Sequence, residues 1–548
     1  MRLRLAIALL LLSASISACT FIIAPTASPT PTLTPTPSPL PTITPSPTPS
    51  PTATPWPLVT PSFLPTISPQ RENPTLLENQ LPGTKDWMPA DLHAALGDDI
   101  AGFADQPSVN VGGTIRFSIS TKRPGTLYQI KIFRLGWYGG DGARLMVDLP
   151  GQIGQAQGYW SRQGFGLANC PTCQVDLQTG LLDTGWKTSY SLKVGSDWVS
   201  GEYLVKLVDQ FGNEGYIFFV VRDDQRPSDL LIETPVNTYQ AYNYWGGKSL
   251  YVTRSQGPNT LNGGVSAVKV SFNRPYVDMG PLMLYHDIQL IHFLERFGYD
   301  VTYTTNVDVD RNPQSLLNHR GFVSVGHDEY WSKGEMDAAF AARDQGVSLA
   351  FLGGNDVYGQ VRYEADSAGN PYRTLVLYRR AELDPLAGEN PSEATVYFAD
   401  PPVNRPQNAL TGTIFISPLK DPQHPATWVV ALSAPFELFE GSGLRPGDEI
   451  PNLVGEECDS LADNGAQPPG LVVVASSAVE SRKGPITCST TFYRAQSGAV
   501  VFNAATLQWS NVLDDFGHHN PGLAMDYRLM RLMQNVLALM RALPVSGP

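Results

Sequence analysis

The sequence is poor in charge, in cysteine and in long apolar runs, and each shortage excludes something. Of its 548 residues only 16% are charged, with 38 Lys and Arg against 51 Asp and Glu. The formal charge of -13 and a pI near 5.1, with no basic run anywhere, argue against a nucleic-acid partner. Beyond the N-terminal segment no stretch reaches the roughly 18 uninterrupted apolar residues of a membrane-spanning helix. A nucleophile elbow with Ser or Cys at a strand end is also missing. Gly353-Gly354 stands where one is expected, which counts against an acyl-enzyme mechanism.

Cysteine is limited to Cys19, Cys170, Cys173, Cys458 and Cys488. Apart from Cys19 the number is even, which outside the cytoplasm points to disulfides. Cys170 and Cys173 are close enough to pair with each other, and Cys458 with Cys488 is then the simplest second bridge. A four-thiolate zinc site has the right ligand number, but the second pair is spaced too widely for a zinc ribbon. A thioredoxin-like role for Cys170 and Cys173 lacks the surrounding βαβ pattern.

The N-terminus speaks to the compartment. Arg2 and Arg4 precede an apolar run over residues 5–12, and Ile16-Ser17-Ala18-Cys19 follows, as in a secretory signal. That tetrapeptide resembles a bacterial lipobox, which implies removal of residues 1–18 and lipidation of the Cys19 thiol. An ordinary signal peptide with an incidental cysteine is the alternative. Residues 19–75 are mostly Pro, Thr and Ser and read as a disordered tether of polyproline character. Roughly 50 such residues, at about 3.1 Å each, reach on the order of 150 Å from the membrane surface to which the lipid would hold the chain.

Roughly 475 residues remain, enough for two or three domains. Over residues 97–224 the pattern has period two: Ile115, Phe117 and Ile119, then Tyr128, Ile130 and Ile132, then Tyr203, Val205 and Leu207. Gly-rich turns separate these runs, which predicts an antiparallel β-sandwich serving as a spacer or a glycan binder. Over residues 226–545 strand and helix alternate, which predicts an α/β domain with a mostly parallel sheet covered on both faces. Its strands fall at 229–233, 301–304, 322–325 and 348–352. Asp287 is placed to cap a helix whose core stripe is Leu290, Ile291, Leu294 and Phe297, and Gly298 ends it. Ser332 and Glu335 form a capping box for the next. Residues 358–496 are irregular, strand signals return at 471–474 and 499–502, and an amphipathic helix closes the chain over 523–543.

Polar groups gather at three of these strand ends: His327-Asp328-Glu329-Tyr330, Asn355 with Asp356, and Asn503 with Gln508 and Trp509. Adjacent parallel strands bring such tips into one crevice. The loop holding Tyr242, Asn243 and Trp245 suits a pocket wall for a small amide or sugar-like ligand, or else an interdomain seam. His286, Asp287, His518 and His519 are further ligand-capable groups. What remains is metal-assisted or carboxylate-assisted hydrolysis, with Glu329 or Asp328 as base, or no catalysis at all.

Residues 239–247, Val270-Ser271-Phe272-Asn273-Arg274-Pro275-Tyr276, the Gly326–Trp331 motif, Leu352-Gly353-Gly354-Asn355 and Phe502-Asn503-Ala504 together resemble the large (β) subunit of N,N-dimethylformamidase in its C-terminal domain. The likeness runs from about 229 to 543. Arg134-Leu135-Gly136-Trp137-Tyr138-Gly139-Gly140 is also similar to bacterial relatives of that domain. The resemblance implies a sheet arranged as in class I glutamine amidotransferases without their cysteine, a small partner subunit, and a mononuclear iron held by two tyrosines and a glutamate. Tyr330 matches one tyrosine. The second is expected near residues 287–289, where Tyr285 is nearest, and the glutamate near 411–414, where no acid stands. Either the iron is absent, or Tyr330, His327 and Asp287, with His286 and Glu329, form a different set for iron, manganese or zinc.

The reading is then a surface-anchored lipoprotein that hydrolyses an amide C–N bond. His327, Asp328, Glu329, Tyr330 and Asn355 are its catalytic candidates, and Tyr242, Asn243, Trp245, Asn503 and Trp509 its substrate contacts. The alternative is a noncatalytic surface protein that binds glycan or wall material.

Overall fold

The computed structural model describes residues 73–89, 99–161, 166–277, 286–422, 424–517, 520 and 522–545. The signal peptide, Cys19 and the tether up to residue 72 lie outside these. So do Tyr285, His518 and His519. The tether boundary read at residue 75 falls inside a short helix, α1 (Pro74–Glu78), whose cap Asn73 accepts from the Leu76 amide at 3.1 Å. Asn73 also donates to the Gly298 carbonyl at 3.0 Å, so this segment is already docked on the folded body.

The first sheets comprise β1 (Ile100–Ala104), β2 (Ser108–Asn110), β3 (Thr114–Thr121), β4 (Leu127–Leu135), β5 (Ala143–Ile153), β6 (Tyr190–Lys193), β7 (Gly201–Asp209) and β8 (Glu214–Arg222). The order β1-β3-β6 makes a three-stranded antiparallel sheet. The order β2-β8-β7-β4-β5 makes a five-stranded one, antiparallel except where β2 meets β8. Ile115, Phe117, Ile130, Ile132, Tyr203, Val205, Ile217 and Phe219 close the core between them, as period-two alternation requires. The opposite face of the larger sheet is buried too. Its Phe133, Leu204, Phe218 and Val220 join one apolar cluster with Leu230, Val301 and Tyr303 of the following domain. Residues 216–221 are accordingly an unbroken apolar run, as a strand covered on both faces requires.

The second domain is built on β9 (Leu230–Thr234), α2 (Val236–Tyr242), α3 (Ile288–Arg296), β10 (Val301–Thr305), α4 (Asn306–Arg311), β11 (Gly321–Gly326), α5 (Lys333–Asp344) and β12 (Ser348–Gly353). It continues through β13 (Ala426–Val430), β14 (Glu449–Val454), β15 (Val472–Ser481), β16 (Gly484–Arg494), β17 (Val500–Asn503) and α6 (Tyr527–Leu539). These nine strands lie in one eleven-stranded sheet in the order β10-β9-β11-β12-β17-β16-β15-β13-β14, and its other two, Ile414–Phe415 and Asp459–Ser460, pair with each other, the latter also with β16. The sheet is mixed. Pairing is parallel from β10 to β17 and antiparallel beyond. The antiparallel half comes from the irregular Pro/Gly-rich region, where β15 and β16 form a hairpin closed between Ser481 and Gly484. No helix among the described residues is long and apolar enough to cross a membrane.

The capping box at α5 forms as the sequence indicates: the Ser332 hydroxyl accepts from the Glu335 amide at 3.0 Å, and Glu335 accepts from the Ser332 amide at 3.2 Å. Asp287 occupies the cap position of α3 without capping it. Its carboxylate instead accepts from the Tyr239 hydroxyl. Both disulfides, Cys170–Cys173 and Cys458–Cys488, are present.

Candidate functional site

β11 ends at Gly326, whose φ of 68° turns the chain across the carboxyl end of the parallel strands. A side chain there would collide with Asp287, so the position needs glycine on two counts. The extended residues that follow alternate in direction. His327 and Glu329 reach one side, and their side chains meet at 3.3 Å between Nε2 and Oε2. Asp328 reaches the other side, where Ser324 and Asn306 donate to it at 2.8 and 3.1 Å.

Glu329 is the hub of the first group. Its Oε2 accepts from the Tyr251 hydroxyl and, at 3.3 Å, from that of Tyr242. The Tyr251 and Tyr330 hydroxyls are 2.6 Å apart, and Arg379 Nη2 donates to Tyr330 at 3.4 Å. Tyr242 also meets His327 Nε2 at 3.2 Å. A second carboxylate, Glu457, lies 3.4 Å from the same imidazole nitrogen and accepts from Asn355 at 3.0 Å. Cys458 follows directly and is tied by its disulfide to β16, and Asp459 accepts from the Asn355 amide at 2.9 Å. His327, Glu329 and Tyr330 are buried, whereas Tyr242, Tyr251, Arg379 and Glu457 keep part of their surface in solvent.

Burial alone would push His327 down, but the hydrogen bond it donates to Glu329 and the charge of Glu457 outweigh it and hold the imidazole up at about 9. Burial would raise Glu329, and the same imidazolium pulls it below its ordinary value. Burial and then the Glu329 charge push Tyr242, Tyr251 and Tyr330 well above the usual phenol range. At neutral pH the site therefore holds an imidazolium, a carboxylate and three neutral phenols.

The other sequence candidates lie elsewhere. Asp287 is wholly buried against Tyr239 and Gly326 rather than beside Tyr330. Asn243 is spent on backbone: it accepts from the Trp245 and Val277 amides and donates to the Pro275 carbonyl. Trp245 is 3% exposed and packs edge-on against Trp186, so it offers no open face to a sugar. Asn503 donates to Thr413 at 2.9 Å and accepts from the Ala505 amide at 2.7 Å, which fixes the end of β17. Trp509 packs in the core between Phe502 and Trp428. Each belongs to the frame, because a polar strand tip is used first to satisfy its own turn.

Sequence reasoning missed Tyr251, Arg379 and Glu457. All three come from irregular segments without periodicity, and Arg379 sits at a φ of 62° that no local pattern announces. Glu457 is a second carboxylate beside His327, and no acid stands at 411–414, where the resemblance places a glutamate. Those residues are occupied locally, with the Thr411 hydroxyl donating to the Thr413 carbonyl, while the carboxylate arrives from the disulfide-tied loop. Two phenols, Tyr251 and Tyr330, and two carboxylates, Glu329 and Glu457, thus supply the donor types that a tyrosine–glutamate iron site requires. The chemistry of the residues present fits that group.

The cluster sits at the carboxyl ends of parallel strands in a mixed α/β sheet, with Gly353-Gly354 at the neighbouring strand end. The sequence profile of the N,N-dimethylformamidase beta subunit-like C-terminal family matches residues 129–522, and the chain belongs to that family. The match begins inside the sandwich, in β4, well before residue 229. No curated protein matches the sequence. Similar solved structures include a Paenibacillus sp. cycloisomaltooligosaccharide glucanotransferase complexed with cycloisomaltoheptaose, at 9% identity and a TM-score of 0.14. That likeness covers 52% of this chain and 35% of the other, and carries no argument about fold.

Proposed function

We propose that this protein hydrolyses the C–N bond of a small amide, with the sheet arranged as in class I glutamine amidotransferases. The observation that carries the reading is the Glu329 carboxylate held between the His327 imidazolium and the phenols of Tyr242 and Tyr251. Glu329, kept ionised, takes a proton from the attacking water. Tyr242, kept neutral, donates to the carbonyl oxygen as it gains charge. His327, still protonated to about pH 9, passes its proton to the departing amine. The carbonyl collapses, the C–N bond breaks, and a carboxylic acid and an amine leave. A mononuclear iron held by Tyr251, Tyr330 and a glutamate of this cluster would add Lewis-acid polarisation of the carbonyl when bound.

Amine release from a panel of formamides and acetamides tests this. Glu329→Gln and Tyr242→Phe are expected to lose roughly 100-fold or more, in the range of one general base or one oriented donor. Equal rates in wild type and Glu329→Gln would remove the reading. Cys19 lipidation and a surface location are part of the same proposal, supported by two disulfides, which persist in oxidising compartments. Loss of metabolic palmitate labelling in Cys19→Ala checks the anchor.

One observation favours a second reading, in which the protein binds glycan. A cleft of about 620 Å³ at the seam of the two domains is lined by Phe103, Asp105, Asp183, Trp186, Tyr372 and Arg373. Trp186 Nε1 and Arg373 Nη1 are buried there without partners. Glycan-array binding abolished by Tyr372→Ala and untouched by Glu329→Gln would establish it.

A further inference from the structure

Behind the loop that carries His327 and Glu329 lies an acidic group that the proposed reaction does not use. Glu233 on β9, Asp328 in the strand-end loop and Glu335 on α5 are wholly buried, and one oxygen of each lies within 4.8 Å of the others. Asn306 donates to Asp328 at 3.1 Å and to Glu335 at 2.8 Å. Its own carbonyl oxygen accepts from the Asn237 amide, so its amino group is fixed toward the acids. Ser324 and the Ser332 amide satisfy the second oxygens of Asp328 and Glu335. Glu233 is different: no other residue donates to either of its oxygens, which face only the carboxyls of Asp328 and Glu335. A buried carboxylate that meets only two others is unfavourable unless a proton or a cation joins them.

We infer that Glu233, Asp328 and Glu335 hold a divalent cation of the hard, oxygen-binding kind: calcium, manganese or magnesium. Each of the three carboxylates offers one oxygen to the group, and the absence of thiolate or imidazole among them disfavours zinc and copper. Asp328 stands between His327 and Glu329 in sequence, so the ion would pin the loop from behind while taking no part in bond breaking. The inference rests on the packing of that loop and not on the amide reaction.

The test is the metal content of the full chain, purified without chelator and dialysed at neutral pH, by mass spectrometry. About one equivalent of calcium, manganese or magnesium is expected in wild type and in Tyr330→Phe, and its loss in Glu233→Gln. Less than about a tenth of an equivalent in wild type, or an undiminished content in Glu233→Gln, overturns the inference in favour of shared protons. Where Glu233→Gln fails to fold, wild type refolded from chelator gives the same decision. A Tm raised several degrees by calcium or manganese, but not by sodium, supports the site, and identical Tm values overturn it.

Discussion

Arg134 of the sandwich and Glu295 of α3 form a two-point ion pair wholly removed from solvent, with Nη1–Oε2 and Nη2–Oε1 distances of 2.9 and 2.8 Å. Glu295 also accepts from Asn79 at 2.7 Å and Tyr303 at 2.9 Å. The pair thus joins the sandwich, the segment after α1 and the large sheet at one point. Arg134→Met would leave a buried carboxylate with two neutral donors, at a cost of about 3–5 kcal/mol. Adding Glu295→Leu should recover part of that loss, because the stranded charge is then gone. Denaturant unfolding of the wild type, the single and the double variant measures both effects. A single variant as stable as wild type would show that the pair does not hold the domains.

Glu202 gives a pH dependence of known sign. It is buried beside Thr234, which donates to it at 2.8 Å, and burial pushes it from 4.5 up to about 7. Between those values the folded chain keeps a proton that the unfolded chain releases. Stability from this group is therefore complete below about 4.5 and lost as pH rises through about 7. Glu202→Gln removes the titration. Its Tm should fall less than that of wild type between pH 5 and about pH 7.5, by roughly one to two kcal/mol of stability. Parallel curves for the two proteins would contradict it.

How far the sequence disclosed this arrangement depends on what each residue answers to. The strands that became β9 to β12 and the helices α3 and α5 were readable because apolar period and caps are local properties. Ser332 and Glu335 needed nothing beyond each other. His327, Glu329 and Tyr330 were readable together because they share one strand-end motif, whereas Tyr242 was readable only as a pocket wall or an interdomain seam. Asp328 could have been separated from its neighbours by alternation alone, and was not. Tyr251, Arg379 and Glu457 depend on loop paths set by tertiary packing, and Glu457 on a bridge to β16. The antiparallel half of the sheet was hidden for the same reason, since its short strands lie among Pro- and Gly-rich turns.

His327 supplies a spectroscopic check. In the folded chain it should keep its proton to about 9, against 6.5 for an ordinary imidazole. Its contribution to stability is thus complete below about 6.5 and lost as pH rises through about 9. Carbon-detected NMR of histidine-labelled protein should show one residue titrating near 9. In Glu329→Gln the hydrogen-bonded partner charge is gone, and the midpoint should drop by at least about one unit. A midpoint near 6.5 in wild type would mean that His327 and Glu329 are not paired in solution.

The two disulfides should differ in what their removal does. Cys170–Cys173 spans a sequence separation of 3, whereas Cys458–Cys488 spans 30. By loop closure, losing the short bridge costs about 2 kcal/mol and losing the long one about 3.5 kcal/mol. Only the long bridge bears on chemistry, because it fixes Glu457 and Asp459 against Asn355. The variant Cys458→Ser/Cys488→Ser should therefore lose amide hydrolysis at temperatures well below its own Tm, while Cys170→Ser/Cys173→Ser keeps it. A Glu457→Gln variant with both bridges intact separates the two causes. If it matches the long-bridge variant in rate but wild type in Tm, the bridge acts through the Glu457 carboxylate. Full activity in Glu457→Gln would instead place the effect of the bridge in the loop backbone around Asn355.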